Sequence, residues 1–233
     1  MHTFARRLHS DQHSSEGDQT TQQTKGLVLD QGWRYDLTVT LADLLLFRGQ
    51  RRAMQWRTIA LANLRPGERA LDVGCGTGTL ALAVQRRVGA SGYVAGIDPA
   101  ARQIASARAK AARRRLPIDF RIGVIERLPF DDGSFDVAFS TLMMHHLPAP
   151  LKRQGLAEIA RTLKPDGRLV IADFARKQDR QGRATRFHAG GSDMAALAAL
   201  VAEAGFSQIE IEELRPRRFS SFPGASILTA RKG

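Results

Sequence analysis

Residues 71 to 78 read LDVGCGTG, a short apolar strand that contains Asp72 and runs into three glycines, Gly74, Gly76 and Gly78. Glycine costs conformational entropy on folding, so three glycines within five positions need a local reason. One such reason is a ligand that approaches the main chain more closely than a Cβ atom would allow. The stretch therefore predicts a ligand-binding turn at the end of a buried strand.

The composition is typical of a globular protein. The chain has 233 residues, 43% of them hydrophobic and 25% charged, and no apolar run approaches the roughly 20 residues of a transmembrane helix. Its only cysteine, Cys75, excludes an internal disulfide and favours a reducing, cytoplasmic location. We expect a disordered polar tail without a signal peptide over 1–25, a helical lid over 26–66 and one domain over 67–233.

The formal net charge is +12, which could attract nucleic acid or an anionic membrane surface. Aromatic residues make up only 6% of the chain, and none of them alternates with the basic runs as a base-stacking platform would. Solvated helix faces are therefore favoured over a nucleic-acid surface. The basic residues form two clusters, Arg48, Arg51, Arg52 and Arg57, then Arg102, Arg108, Lys110, Arg113, Arg114 and Arg115.

Strands and helices alternate after two N-terminal helices at 36–47 and 51–64. This order predicts an α/β fold with a doubly wound, mostly parallel seven-stranded sheet, in which the N-terminal helices form a lid. Strands are expected at 69–73, 93–97, 118–122, 135–140 and 168–173, helices at 79–88, 100–115, 151–163 and 193–203, and a turn KPDG at 164–167. The segments QIEIEEL and SILTAR have no helix between them, which predicts an antiparallel hairpin at the sheet edge.

The glycine turn fits neither of the two common phosphate-binding patterns. A dinucleotide fingerprint would place the third glycine at position 79, which is Thr79, and no Gly-Lys-Ser/Thr follows for a P-loop. Asp72 adds a negative charge just before the turn, which would repel a pyrophosphate. A cationic ligand suits the turn better.

LDVGCGTG resembles motif I of the class I S-adenosylmethionine-dependent methyltransferases, whose cofactor is a sulfonium without phosphate. Asp98 in GIDPA then takes the place of the carboxylate that accepts both ribose hydroxyls, for which an acceptor-only group is suited. GVIERLPFDDGSFDVAF and RTLKPDGRLVIADF match further family segments, so that residues 67 to 231 follow the family order. The resemblance implies S-adenosylmethionine as cofactor and no metal, with binding residues Asp72, Gly74, Cys75, Gly76, Thr77, Gly78, Asp98, Pro99, Val124, Ile125, Glu126 and Thr141.

Val124 departs from the family pattern, which commonly has Asp at this position to accept the adenine amino group. The loss amounts to one charge-assisted hydrogen bond of roughly 1.5 to 3 kcal/mol. Either Glu126 replaces that bond, or adenine is held by shape between Val124 and the backbone of Ile125.

The residues that follow strands four and five are the candidates for catalysis and acceptor binding. His145 and His146 are the candidate general bases, because imidazole titrates near neutrality. The candidate acceptor-binding residues are Tyr35, Met144, Asp173 and His188. Several of these residues have an alternative structural role. Adjacent side chains diverge, so either histidine could serve packing instead of catalysis. Met144 could lie in the core, and Asp173 could cap a turn.

The branch of the family that the chain most resembles contains ubiquinone/menaquinone C-methyltransferases and phosphatidylethanolamine N-methyltransferases. The quinone enzymes carry Arg-Asn where this chain has His145 and His146, and one cysteine is too few for an arsenic methyltransferase. We therefore expect a small, apolar or amphiphilic acceptor, with peripheral membrane contact through the helix at 36–47 as an option. The alternatives are an RNA methyltransferase and a non-catalytic cofactor-binding partner protein, and the oligomeric state is left open.

Overall fold

The computed structural model describes residues 40–175, 191–216, 218 and 220–233. A first helix, α1, is described over 40–45. The further helices are α2 Gln50–Leu61, α3 Thr79–Val88, α4 Ala101–Arg113, a 3₁₀ turn Met144–His146, α5 Ala149–Thr162 and α6 Met194–Glu203. The strands are β1 Arg69–Val73, β2 Tyr93–Asp98, β3 Ile118–Ile122, β4 Phe135–Thr141, β5 Leu163–Phe174, β6 Phe206–Leu214 and β7 Ala225–Lys232.

The seven strands form one sheet in the order β3-β2-β1-β4-β5-β7-β6. Strands β1 to β5 are parallel to one another, while β7 pairs antiparallel with both β5 and β6. The predicted doubly wound sheet with its antiparallel edge is therefore confirmed. The chain winds away from β1 in one direction and from β4 in the other, so a crevice lies at the carboxyl ends of these two strands.

The core consists of two layers, one on each face of the sheet. Adjacent residues of β1 show this division, because Ala70 packs into one cluster and Leu71 into the other. The first layer joins the sheet to α2, α3 and α4, and the second joins it to α5 and α6. Strands buried on both faces are apolar throughout, as LVIA in β5 is.

The predicted turn KPDG lies inside β5 rather than before it. Phe135 pairs with Leu163 and Val137 pairs with Arg168, so residues 164–167 bulge opposite Asp136 alone. Asp166 takes a left-handed φ of 58° within this bulge. The turn signal of the sequence was correct, but pairing of Leu163 with β4 extends the strand in front of it.

Helix ends differ from the predicted ends by a few residues. Helix α2 ends at Leu61 rather than at residue 64. Asn63, just after the end of the helix, has a left-handed φ of 46°. Helix α6 begins as expected, since the carboxylate of Asp193 accepts hydrogen bonds from the backbone N–H groups of Ala195 and Ala196, both at 3.1 Å. Gly205, with φ 90°, follows its C-terminus as predicted.

A side chain of α1 caps the N-terminus of α2. Asp43 of α1 accepts hydrogen bonds from the backbone N–H groups of Arg51 (2.9 Å) and Arg52 (3.1 Å), in the first turn of α2. Leu44 and Leu45 of α1 are 70% and 72% exposed. The predicted tail and the start of the predicted lid lie outside the described residues. Within the described residues, no helix combines the length and the hydropathy needed to cross a bilayer.

Candidate functional site

The glycine turn connects the carboxyl end of β1 to α3. All three glycines have left-handed φ angles, and their surroundings differ. A Cβ atom on Gly78 would lie 2.5 Å from the ring of Phe120, and one on Gly74 would collide with the side chain of Met143. A Cβ atom on Gly76 would meet nothing within 4 Å. The expectation that a ligand fills the space at all three glycines is therefore wrong at two of them, because side chains of the protein occupy that space.

The carboxylate of Asp98 joins this turn to the end of β2. One oxygen accepts a hydrogen bond from the backbone N–H of Gly76 and the other from that of Ala100, both at 2.9 Å. A carboxylate oxygen can accept more than one hydrogen bond, so both retain capacity for further donors. Asp98 thus orients the glycine turn and faces the cavity beside it.

Asp72 is 1% exposed, and neither of its carboxylate oxygens has a hydrogen-bond partner in the described part of the chain. Burial raises the pKa of Asp72 to about 7, and the negative charge of Asp98 adds to the rise. The nearby backbone N–H of Ala81 opposes the rise, although it makes no hydrogen bond of normal geometry. Two carboxylates next to the turn favour a cationic ligand over a phosphate, so these residues fit S-adenosylmethionine.

A third segment follows β3 and forms the opposite wall of the cavity. Val124 pairs with Arg127 in a short antiparallel bridge, and both Val124 and Ile125 are 6% exposed. Gly155 of α5 lies against the side chain of Ile125, where a Cβ atom would come within 2.5 Å of it. The segment thus presents an apolar surface in a fixed position. Such a surface is needed if adenine is held by shape.

These elements surround one cavity of about 520 Å³. Ten of the twelve predicted cofactor-binding residues line it, while Asp72 and Gly78 lie behind its wall. The ten are Gly74, Cys75, Gly76, Thr77, Asp98, Pro99, Val124, Ile125, Glu126 and Thr141. Burial raises the pKa of the Cys75 thiol, and the charges of Asp72 and Asp98 add to this effect.

His145 and Asp173 form a buried pair behind the cavity. Nδ1 of His145 lies 2.6 Å from Oδ1 of Asp173, and the side chain of His145 is 10% exposed. Asp173 also accepts hydrogen bonds from the backbone N–H of His145 (2.9 Å), the hydroxyl of Ser192 (2.7 Å) and the backbone N–H of Phe174 (2.9 Å). Since a carboxylate only accepts, this contact places the ring proton of His145 on Nδ1.

His146 faces the cavity, and its ring centroid lies 3.9 Å from that of His145. Burial lowers the pKa of His146, the neighbouring His145 lowers it further, and Asp173 opposes the shift. These effects favour the neutral imidazole of His146, which is able to accept a proton. The expectation that the adjacent histidines diverge is wrong, because their rings are in contact, although only His146 lines the cavity.

The four predicted acceptor-binding residues are distributed differently. Met144 is fully buried in the core layer of α5 and α6, and Asp173 is fully buried against His145. Neither of them lines the cavity. Tyr35 and His188 lie outside the described residues. Met143 lines the cavity next to Leu142.

Sequence reasoning missed the residues of α2, α3 and α4 that line the cavity. Met54 and Trp56 of α2 and Leu80 and Ala83 of α3 supply an apolar surface. The same helices contribute the basic residues Arg51, Arg52, Arg86 and Lys110, and Arg114 follows α4 directly. Four of these five belong to the two basic clusters of the sequence and Arg86 does not, and helix periodicity alone does not indicate which basic residues face a common space.

Comparison with known proteins agrees with this geometry. The family described as Methyltransferase domain (Methyltransf_25) matches residues 70–167. The ubiquinone/menaquinone biosynthesis C-methyltransferase UbiE of Citrifermentans bemidjiense is 36% identical over 146 residues, which are 61% of this chain and 59% of that protein. The chain spans between 35% and 60% of the length of the curated relatives it matches.

Two solved structures have the same fold. The [4+2]-cyclase SpnF is 26% identical, with a TM-score of 0.66 over 77% of this chain and 80% of that one. A SAM-dependent methyltransferase from Aquifex aeolicus is 20% identical, with a TM-score of 0.65 over 82% of this chain and 93% of that one. Together with the family match over 70–167, the glycine turn and Asp98, these similarities support a resemblance of the chain to the class I S-adenosylmethionine-dependent methyltransferases, UbiE among them.

Proposed function

We propose that this protein transfers a methyl group from S-adenosylmethionine to a small, apolar or amphiphilic acceptor. One observation carries the proposal: the cavity that contains the glycine turn and Asp98 also contains His146, whose neutral imidazole is favoured. Methyl transfer to a protonated nucleophile requires a cofactor site and a proton acceptor in the same cavity.

The cofactor, when bound, supplies an electrophilic methyl group on a sulfonium. The residues of the chain bind and align it. Asp98 accepts the ribose hydroxyls while it holds the glycine turn through Gly76. Val124 packs against adenine, and the backbone N–H of Ile125 or the carboxylate of Glu126 supplies its polar partner. Much of the rate enhancement then comes from alignment and the exclusion of water.

His146 accepts the proton of the acceptor. The ring of His145, which is held by Asp173, supports the ring of His146 from behind. Because its pKa is lowered, the neutral form of His146 is favoured near pH 7, and the ring becomes protonated as the pH falls below this lowered value. Activity should therefore be flat near pH 7 and decline on the acid side.

The walls of the cavity favour an acceptor with apolar character. Met54, Trp56, Leu80 and Met143 line it together with the polar groups described above. The relative named UbiE acts on quinone precursors according to its name, and quinones are apolar. His145 and His146 replace the Arg-Asn of the quinone enzymes, so we favour a non-quinone acceptor. The single cysteine, which is buried, does not support arsenic methylation and fits a cytoplasmic location.

A second candidate is a cofactor-binding protein that does not transfer the methyl group. One observation favours it: the structurally similar SpnF is named as a cyclase although it has the same fold. Under this alternative the cavity still binds S-adenosylmethionine, but the His146 side chain serves another reaction or only packs.

The test is a screen for transfer of a tritiated methyl group. The purified chain is incubated with labelled S-adenosylmethionine and, separately, with lipid extract, quinones, thiols, amines and RNA. We expect a labelled product in the lipid or another amphiphilic class, with turnover at least tenfold lower in His146→Ala and unchanged in His13→Ala, a matched change in the predicted tail. Cofactor binding without any product would support the second candidate, and label only in RNA would support an RNA methyltransferase.

A further inference from the structure

Five basic side chains line the cavity and form what we term the cationic rim. Arg51 and Arg52 come from α2, Arg86 from α3, Lys110 from α4, and Arg114 from the position just after α4. Nζ of Lys110 lies 3.4 Å from the hydroxyl of Thr79, the first residue of α3, so α3 and α4 are in contact at the cavity. Three helices thus bring positive charge to the same cavity.

The four arginines of this rim, Arg51, Arg52, Arg86 and Arg114, have no carboxylate partner for their guanidinium groups in the described part of the chain. Other arginines of the protein have one, for example Arg57, which pairs with Glu212 at 2.6 Å. Four arginines that face one cavity without a carboxylate partner favour an anionic ligand.

The acidic residues of the cavity do not balance the rim. Those lining it are Asp43, Asp98 and Glu126, against five cations. Both oxygens of Asp43 already accept hydrogen bonds from the first turn of α2, and both oxygens of Asp98 accept from backbone N–H groups. The rim therefore keeps an excess of positive charge over the acidic residues that line the same cavity.

Part of the rim lies away from the glycine turn. Arg86 follows Thr79 by seven residues, which is about 10 Å along the axis of α3. Arg114 follows Lys110 by four residues, which is about one helical turn further from its contact with Thr79. The side chains of Arg86 and Arg114 are exposed, so they stand at the mouth of the cavity. A group bound there would keep access to water.

Apolar side chains continue inward from this mouth. Trp56, which is 46% exposed, lies beside α3, with the guanidinium carbon of Arg87 5.9 Å from its ring centroid. Met54, Leu80 and Ala83 follow it on the cavity wall. The charged mouth and apolar interior together match an amphiphile whose head group stays at the surface and whose tail enters the cavity.

We propose that the cationic rim binds a phosphate or carboxylate group on the methyl acceptor, so that the acceptor is an anionic amphiphile. The inference rests on the proposed function, because it names the class of acceptor for the same cavity. Arginine binds both anions through two parallel hydrogen bonds, which fixes the orientation of the head group as well as its position.

The experiment uses the full chain saturated with S-adenosylhomocysteine and two probes of equal tail length, n-octyl phosphate and 1-octanol. Isothermal calorimetry is performed on wild type, on the double variant Arg86→Gln/Arg114→Gln and on the control Arg113→Gln/Arg115→Gln. Each control residue is the sequence neighbour of a rim residue and does not line the cavity. The double control variant changes the net charge by the same amount as the rim variant.

We expect octyl phosphate to bind wild type more tightly than octanol, and more weakly at 500 mM than at 50 mM salt. The rim variant should lose about tenfold in affinity for octyl phosphate, while the control changes less than twofold. Octanol binding should stay the same in all three proteins. The dissociation constant of S-adenosylhomocysteine, measured first, should also stay the same.

Several results would overturn the inference. Equal losses in the rim variant and in the control would mean that only the overall field acts. A loss of S-adenosylhomocysteine affinity in the rim variant would assign the arginines to the cofactor carboxylate instead. A single-stranded RNA that binds in a rim-dependent way, while octyl phosphate does not, would assign them to nucleic acid. Failure of S-adenosylhomocysteine to bind wild type would refute the proposed function itself, which keeps the two failures distinct.

Discussion

Replacement of Asp173 by Asn tests the buried network behind the cavity. Each carboxylate oxygen accepts two hydrogen bonds. Oδ1 accepts from Nδ1 of His145 (2.6 Å) and from the backbone N–H of Phe174 (2.9 Å), and Oδ2 accepts from the backbone N–H of His145 (2.9 Å) and from the hydroxyl of Ser192 (2.7 Å). Asn keeps the size of the side chain but replaces one of these oxygens with an NH₂ group that can only donate.

The cost follows from which donors can adapt. The Ser192 hydroxyl can turn and accept, and His145 can change its tautomer and accept through Nδ1. A backbone N–H can do neither, so one such group, of His145 or of Phe174, loses its acceptor in either orientation of the amide. A buried unsatisfied donor costs about 1 to 3 kcal/mol. In a chain of this length, 1 kcal/mol shifts Tm by roughly 2 to 4 °C, so a decrease of about 2 to 12 °C is expected.

Thermal unfolding followed by circular dichroism measures this shift, with Ser192→Ala as the comparison. In Ser192→Ala the carboxylate keeps its other three donors. The free energy of unfolding should therefore fall by about 1 kcal/mol, which is less than for Asp173→Asn. Nitrogen chemical shifts of the His145 ring should change only in Asp173→Asn, because Nδ1 then loses its charged carboxylate partner. An unchanged Tm for Asp173→Asn, or a larger decrease for Ser192→Ala, would refute the proposed role of the carboxylate.

Three further predictions concern the glycine turn and its two carboxylates. Asp98→Asn should weaken S-adenosylmethionine binding about tenfold or more by calorimetry, because one oxygen shared between ribose and backbone is lost; an unchanged dissociation constant would contradict the assignment. Gly78→Ala should lower the free energy of unfolding, measured in urea, by about 1 to 3 kcal/mol more than Gly76→Ala does. The reason is that only the new Cβ atom at position 78 meets the ring of Phe120. Equal losses in the two variants would show that the left-handed φ alone matters. The pKa of Asp72 is raised to about 7 in the folded state, so its contribution to stability is greatest below the ordinary carboxyl pKa and is lost as the pH rises to about 7. Asp72→Asn should therefore stabilise the ligand-free chain relative to wild type more at pH 8 than at pH 4, and an equal effect at both values would refute the shift.

Several features of this protein follow from local sequence. The alternation of apolar strands with amphipathic helices predicts the doubly wound sheet, and the absence of a helix between QIEIEEL and SILTAR predicts the antiparallel edge. Asp193 and Gly205 mark the ends of α6, because caps act through neighbouring backbone groups. The glycine turn and Asp98 could be placed together since the carboxyl ends of neighbouring parallel strands meet at one edge of the sheet.

Other features depend on contacts between residues far apart in the chain. Met143 and Phe120 occupy the space at Gly74 and Gly78, which sequence reasoning had assigned to a ligand. Asp173 binds His145 across 28 positions of sequence and leaves His146 at the cavity. Periodicity gives the face of a helix but not the angle at which helices cross, so only the tertiary structure brings the basic residues of α2, α3 and α4 to one cavity.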